Sequence, residues 1–192
     1  MSIVLLAIAL GGRSFDLGSL SSAPDKEDAP KATPSDASVA DAVAASTRAQ
    51  TLARSGKTEE ALAEFNRAVE LDPHNAQAFY GRGLLYQGNR QHQPAIEDFT
   101  AANGLTPQRS EPLLGRAVSY LALDKVKEAV TDLDEAVQAD PQNGQIWTTR
   151  GLAYERLGER VKAADSYARA ISLHPRDEAA RNGLARVGGK PG

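Results

Sequence analysis

Apolar residues in this chain recur in paired helical stretches. Leu113, Ala117 and Tyr120 fall at i, i+4 and i+7, and after a polar break Val130, Leu133 and Val137 fall at i, i+3 and i+7. With 3.6 residues to a turn, such a spacing lines one face of an α-helix. The same pairing predicts helices at 42–55, 58–71, 76–89, 92–105, 110–123, 126–139, 144–157, 160–173 and 178–187.

The pairs are copies of one another. Pro73, Pro107, Pro141 and Pro175 stand 34 residues apart, and so do Ala61, Ala95, Ala129 and Ala163. The interval also relates Ala68, Ala102, Ala136 and Ala170; Phe65, Phe99, Leu133 and Tyr167; Leu52, Tyr86, Tyr120 and Tyr154; and Ala49, Gly83, Ala117 and Gly151. Each column has a physical task. The small residues let two helix backbones approach, the large residue fills the space beside that contact, and proline stops the second helix. A single hairpin cannot bury its own apolar face, so neighbouring copies must stack.

This register resembles the tetratricopeptide repeat (TPR) family, whose 34-residue pattern is W-x2-L-G-x2-Y, then A-x3-F, then P. The fourth copy carries it most fully, in Trp147, Gly151, Tyr154, Ala163, Tyr167, Ala170 and Pro175. The resemblance implies an all-α fold: a right-handed α-α superhelix (TPR solenoid) of four helical hairpins plus a C-terminal capping helix. The expected repeats are 42–75, 76–109, 110–143 and 144–177 within a domain of 39–187. Asp177 is suited to cap the final helix, 178–187, which carries one apolar stripe, Ala180, Leu184 and Val187, and is otherwise polar, as suits a helix that shields the last repeat from water.

In TPR proteins the first helix of each repeat forms the concave face, which implies a surface running from Ser46 and Gln50 through Tyr80, Leu84, Leu114, Val118 and Leu121 to Thr148, Leu152 and Arg156. Its middle is apolar and belongs to none of the packing columns, so the expected function is a scaffold or adaptor that holds a partner helix or peptide in the groove. One TPR class clamps a C-terminal carboxylate with Lys and Asn, but the matching positions here are Ser46, Gln50, Gly81, Glu111 and Gly115. A second departure is the arginine column Arg48, Arg82, Arg116 and Arg150, where the family pattern has Leu. Sixteen residues later stand Glu64, Asp98, Asp132 and Ser166, which favours ion pairs within a hairpin over a basic ladder for an acidic ligand.

Ahead of the repeats, Ile3–Leu10 is an unbroken apolar run that is short for a membrane span and fits the core of an export signal within residues 1–23. No Lys or Arg precedes it, and Leu10-Gly11-Gly12 is followed by Arg13 where a lipidated cysteine would stand. Residues 24–38, with Pro24, Pro30 and Pro34, read as a disordered linker, and 188–192 as a frayed tail. The signal reading places the protein in the periplasm or on a bacterial cell envelope, where similar TPR proteins serve as adaptors. The alternative is a cytoplasmic co-chaperone-like or regulatory module.

Charge and composition narrow the partner. Residues 1–41 carry three basic and six acidic residues and the remainder 19 of each, so the repeat domain is neutral and lacks the footprint of a nucleic-acid binder. The chain has no cysteine, and His74, His92 and His174 stand apart in or beside turns, with no metal-ligand spacing. No nucleophile elbow or phosphate loop is present, so no enzyme, cofactor or metal is expected and a protein or peptide partner is.

Overall fold

The computed structural model describes residues 35–188. Among them are nine helices and no strand: α1 (Asp36–Arg54), α2 (Thr58–Leu71), α3 (Ala76–Gly88), α4 (His92–Leu105), α5 (Ser110–Ala122), α6 (Val126–Ala139), α7 (Gly144–Arg156), α8 (Arg160–Leu173) and α9 (Glu178–Arg186). Each helix packs on the next in sequence. The odd-numbered helices also touch one another along the array, α1 on α3, α3 on α5, α5 on α7 and α7 on α9, whereas the even-numbered helices do not. Closer spacing on the odd side curves the stack into a superhelix with α1, α3, α5 and α7 lining its concave face. No described helix is long and apolar enough to cross a membrane.

Eight of the nine helices lie within one residue of their predicted limits. The exception is α1, which starts at Asp36, not 42, and so takes in residues 36–38 of the expected linker. The reason is local: the Ser35 hydroxyl accepts a hydrogen bond from the Ser38 N–H at 3.2 Å, Asp36 sits in the first turn, and the alanines that follow favour helix. The signal-like segment 1–23, linker residues 24–34 and residues 189–192 of the tail lie outside the described residues.

The repeat columns form the core. Ala61, Ala68, Ala95, Ala102, Ala129, Ala136, Ala163 and Ala170 are fully covered, as are Phe99 and Leu133. The turn between the two helices of each repeat needs one residue at positive φ: Gly56 and Gly158 supply it without strain, while Arg90 and Asp124 take φ of 59° and 58°.

One core column is broken. Val69, Val137 and Ile171 share a position with Asn103, whose Oδ1 is buried without a partner. An unpaired buried amide oxygen costs roughly 1–3 kcal/mol, so Asn103→Val is expected to stabilise the chain by about 1 kcal/mol, raising the midpoint by roughly 2–4 °C. A lower midpoint in a thermal melt would mean that the amide is satisfied in solution.

Candidate functional site

Four of the sequence-predicted residues converge. Tyr80 and Leu84 on α3 and Leu114 and Val118 on α5 line one concave cavity of about 260 Å³, together with Gln87, Glu111, Gly115, Asn143 and Gln145. The 3.6-residue period brings them there, since 80/84 and 114/118 are i, i+4 pairs on the inner face of each helix. Leu84 is 42% exposed. The Tyr80 ring leans on Phe99 with centroids 5.9 Å apart, which fixes it as one wall. A second cavity of about 270 Å³ lies on the other side of Tyr80 and Leu84, bounded by Gln50, Ala53, Arg54, Phe65, Gln77, Gly81 and Leu85.

The other predicted residues are elsewhere. The family resemblance implies that Leu121 lies on the concave face, but it is 6% exposed and belongs to the core cluster with Leu133, Ile146 and Ala153. Its position in the repeat faces the following odd helix. The equivalent Gln87 reaches α5, where Nε2 donates to Gly115 O at 2.7 Å and Ser119 Oγ at 2.8 Å, and the equivalent Glu155 accepts from Arg186 of α9 at 2.7 Å. Thr148, Leu152 and Arg156 lie outside the central cavity. The Thr148 hydroxyl donates to Asp177 Oδ2 at 2.6 Å, and Arg156 Nη1 donates to the Leu121 carbonyl at 2.7 Å near the end of α5. Ser46 is buried and accepts a hydrogen bond from Asn75 Nδ2 at 3.2 Å. Leu152 remains 37% exposed.

The rim of the central cavity is polar, with Gln87, Glu111, Asn143 and Gln145. Arg109 donates to both oxygens of Glu111, at 2.8 and 3.3 Å, and this holds the Glu111 carboxyl below its ordinary value. Burial, and then the neighbouring Glu111 charge, push the Tyr80 hydroxyl above its ordinary value, so it stays a neutral donor. Gln87, Glu111, Asn143 and Gln145 carry no hydrophobic period. Only the 34-residue interval from Gln77 to Glu111 to Gln145 signals that these positions share a place at the mouth of the groove.

The arginine column points away from it. Arg82 is bidentate to Asp98 at 2.8 and 2.7 Å, Arg116 to Asp132 at 2.8 and 2.8 Å, and Arg48 meets Glu64 at 2.9 Å. Each of the later arginines also reaches sixteen residues backward, to Asn66, Thr100 and Asp134 respectively. One guanidinium thus ties its own repeat to the preceding one. Arg150 meets Ser166 in its own repeat, so its ion pair is with Asp134 of the repeat before, at 2.7 Å. Aromatic faces flank these groups: Arg150 lies 5.4 Å from the Trp147 ring and 4.8 Å from that of Tyr154.

The fold and its inner face define a helical-hairpin solenoid with an open concave groove. Residues 49–89 match the family described as TPR repeat, and residues 86–144 and 114–178 the family described as tetratricopeptide repeat. The chain belongs to the tetratricopeptide repeat family. Among solved structures it is similar to YrrB, described as a TPR protein with an unusual peptide-binding site, at 22% identity over 77% of this chain and 76% of that one, with a TM-score of 0.70. MamA is similar at 19% identity over 76% and 80% of the two chains, with a TM-score of 0.71. The first TPR of Spaghetti (RPAP3), solved bound to an HSP90 peptide, shares 25% identity over 60% of this chain and 92% of its own, with a TM-score of 0.58. No curated protein matches the chain.

Proposed function

We propose that this chain is a protein-interaction scaffold that holds a segment of another protein in its concave groove, centred on the cavity between α3, α5 and α7. The observation that carries this reading is the convergence of Tyr80, Leu84, Leu114 and Val118 on one open cavity. Peptide binding by similar TPR structures supports it. A carboxylate clamp is disfavoured by packing as well as by residue type. Gly81 and Gly115 stand where clamp side chains would, and a Cβ at Gly115 would lie 2.6 Å from the Phe99 ring. Export to a cell envelope is proposed on the apolar run 3–10 alone, and cell fractionation checks it.

The test is Leu84→Ser in the full chain. Leu84 is largely outside the core, so the melting midpoint should stay within about 0.5 kcal/mol of the parent in stability terms. Proteins captured from native lysate by the parent chain should be lost by the variant. Leu114→Ser should lose them too, at a further cost of about 1 kcal/mol because Leu114 also packs on the core. An unchanged set of captured proteins in both variants would remove the groove as the binding site.

A further inference from the structure

The concave face repeats one contact along its length, and that contact fails in the middle. At the first junction Asn75, which caps α3, donates its Nδ2 to Ser46 Oγ, 29 residues earlier on α1. At the last junction Asp177, which caps α9, accepts from the Thr148 hydroxyl on α7, again 29 residues earlier. The residue facing Asn143 in the same way is Leu114, which cannot hydrogen bond. Asn143 Oδ1 accepts from the Gln145 N–H at 3.1 Å as a cap, but its Nδ2 has no partner among the described residues. The side-chain amide of Gln145 and the Tyr80 hydroxyl likewise make no hydrogen bond among the described residues, and all three line the central cavity.

Resting on the groove reading above, we propose that the central cavity takes an extended, uncharged peptide segment. One large apolar side chain of the segment sits among Tyr80, Leu84, Leu114 and Val118, and its backbone is hydrogen-bonded by Asn143 and Gln145. The rim decides between extended and helical partners. A helix has its backbone groups already paired, so docking one would bury the Asn143 and Gln145 amides without partners. An extended chain presents a free N–H and C=O at every residue and satisfies them. Charge decides the rest: among the described residues Glu111 is the one charged side chain that lines this cavity, and Arg109 neutralises it. A charged anchor would therefore be desolvated without compensation.

The experiment uses a random linear peptide library displayed on phage and selected on the full chain. Enriched sequences are then synthesised with a fluorophore and titrated by fluorescence polarisation. The expected consensus has one Leu, Ile, Phe or Met flanked by uncharged residues, without i, i+3, i+4 periodicity. Asn143→Asp and Asn143→Ser each keep an oxygen cap, as Asp177 does on α9, but remove the amide donor. Each should weaken binding by about tenfold, the worth of one hydrogen bond in a desolvated site, and N-methylation beside the anchor residue should do the same. Leu84→Ser should abolish binding. Enriched peptides that lose binding in Leu84→Ser but have helical periodicity, acidic anchors, or affinity within about twofold for both Asn143 variants would overturn the extended-segment inference while leaving the groove in place. No enrichment, or peptides indifferent to Leu84→Ser, would overturn both.

Discussion

Gly115→Thr is expected to destabilise the chain by about 3 kcal/mol, and Phe99→Leu, itself costing about 1–2 kcal/mol, is expected to relieve much of that loss when the two are combined. A ring on the second helix of one repeat lies against the residue sixteen positions later, on the first helix of the next: Phe65 on Gly81, Phe99 on Gly115 and Tyr167 on Gly183. At the remaining junction the ring is replaced by Leu133, and the residue sixteen later is Thr149. A Cβ on Gly115 would lie 2.6, 2.8 and 2.9 Å from three atoms of the Phe99 ring. The ring cannot retreat, because a Cβ added at Gly83 on its other flank would already be 2.9 Å away and Tyr80 leans on it as well. Close-packed interiors accommodate such an intrusion only by moving backbone. The double variant copies the Leu133/Thr149 junction, so urea unfolding of the four proteins should give a coupling of about 1–2 kcal/mol in its favour. Strict additivity would show that ring and glycine are independent and that the stack adjusts elsewhere.

The ring half of that pairing is legible in the amino-acid sequence, as one of the 34-residue columns. Those columns locate eight helices to within a residue because proline, alanine and ring positions each impose a backbone constraint that survives translation along the array. Composition misleads only where it overrides a local signal. Residues 24–38 look like linker, yet Ser35-Asp36 is a helix start, with a hydroxyl that caps the Ser38 N–H.

The site is less legible, for geometric reasons. Leu121 lies three residues beyond Val118, so it sits about 60° around the helix from it, which at the last turn of α5 aims it at the next repeat and the core. Thr148 and Arg156 are on the right helix, but their polar groups are spent on α9 and α5. Asn143 and Gln145 carry no periodic signal because residues at a helix start follow cap chemistry and not hydrophobic period. For the arginines, the forward offset of sixteen suggests that each serves a single repeat. The backward offset to Asn66, Thr100 and Asp134 mirrors the forward one, and only the packed stack brings both within reach of a single guanidinium.

Arg116→Ala should cost about 3–5 kcal/mol, whereas Arg48→Ala should cost no more than about 1 kcal/mol, although both remove an arginine from the same column. The difference is burial. The Arg116 and Asp132 side chains are 15% and 6% exposed, against 48% and 25% for Arg48 and Glu64. Losing Arg116 leaves a carboxylate out of water with both of its oxygens unpaired, and also strips Thr100 of its donor. Losing Arg48 frees Glu64 to turn toward solvent. The penalty therefore belongs to the abandoned carboxylate more than to the pair, and this gives the control. Replacing both partners with apolar residues, as in Arg116→Met with Asp132→Leu, should return stability to within about 1–2 kcal/mol of the parent. Chemical denaturation of the four variants reads all of these differences. A mild Arg116→Ala, no worse than Arg48→Ala, would mean that water reaches Asp132 in solution. The repeats would then be held together by their alanine, ring and glycine columns alone.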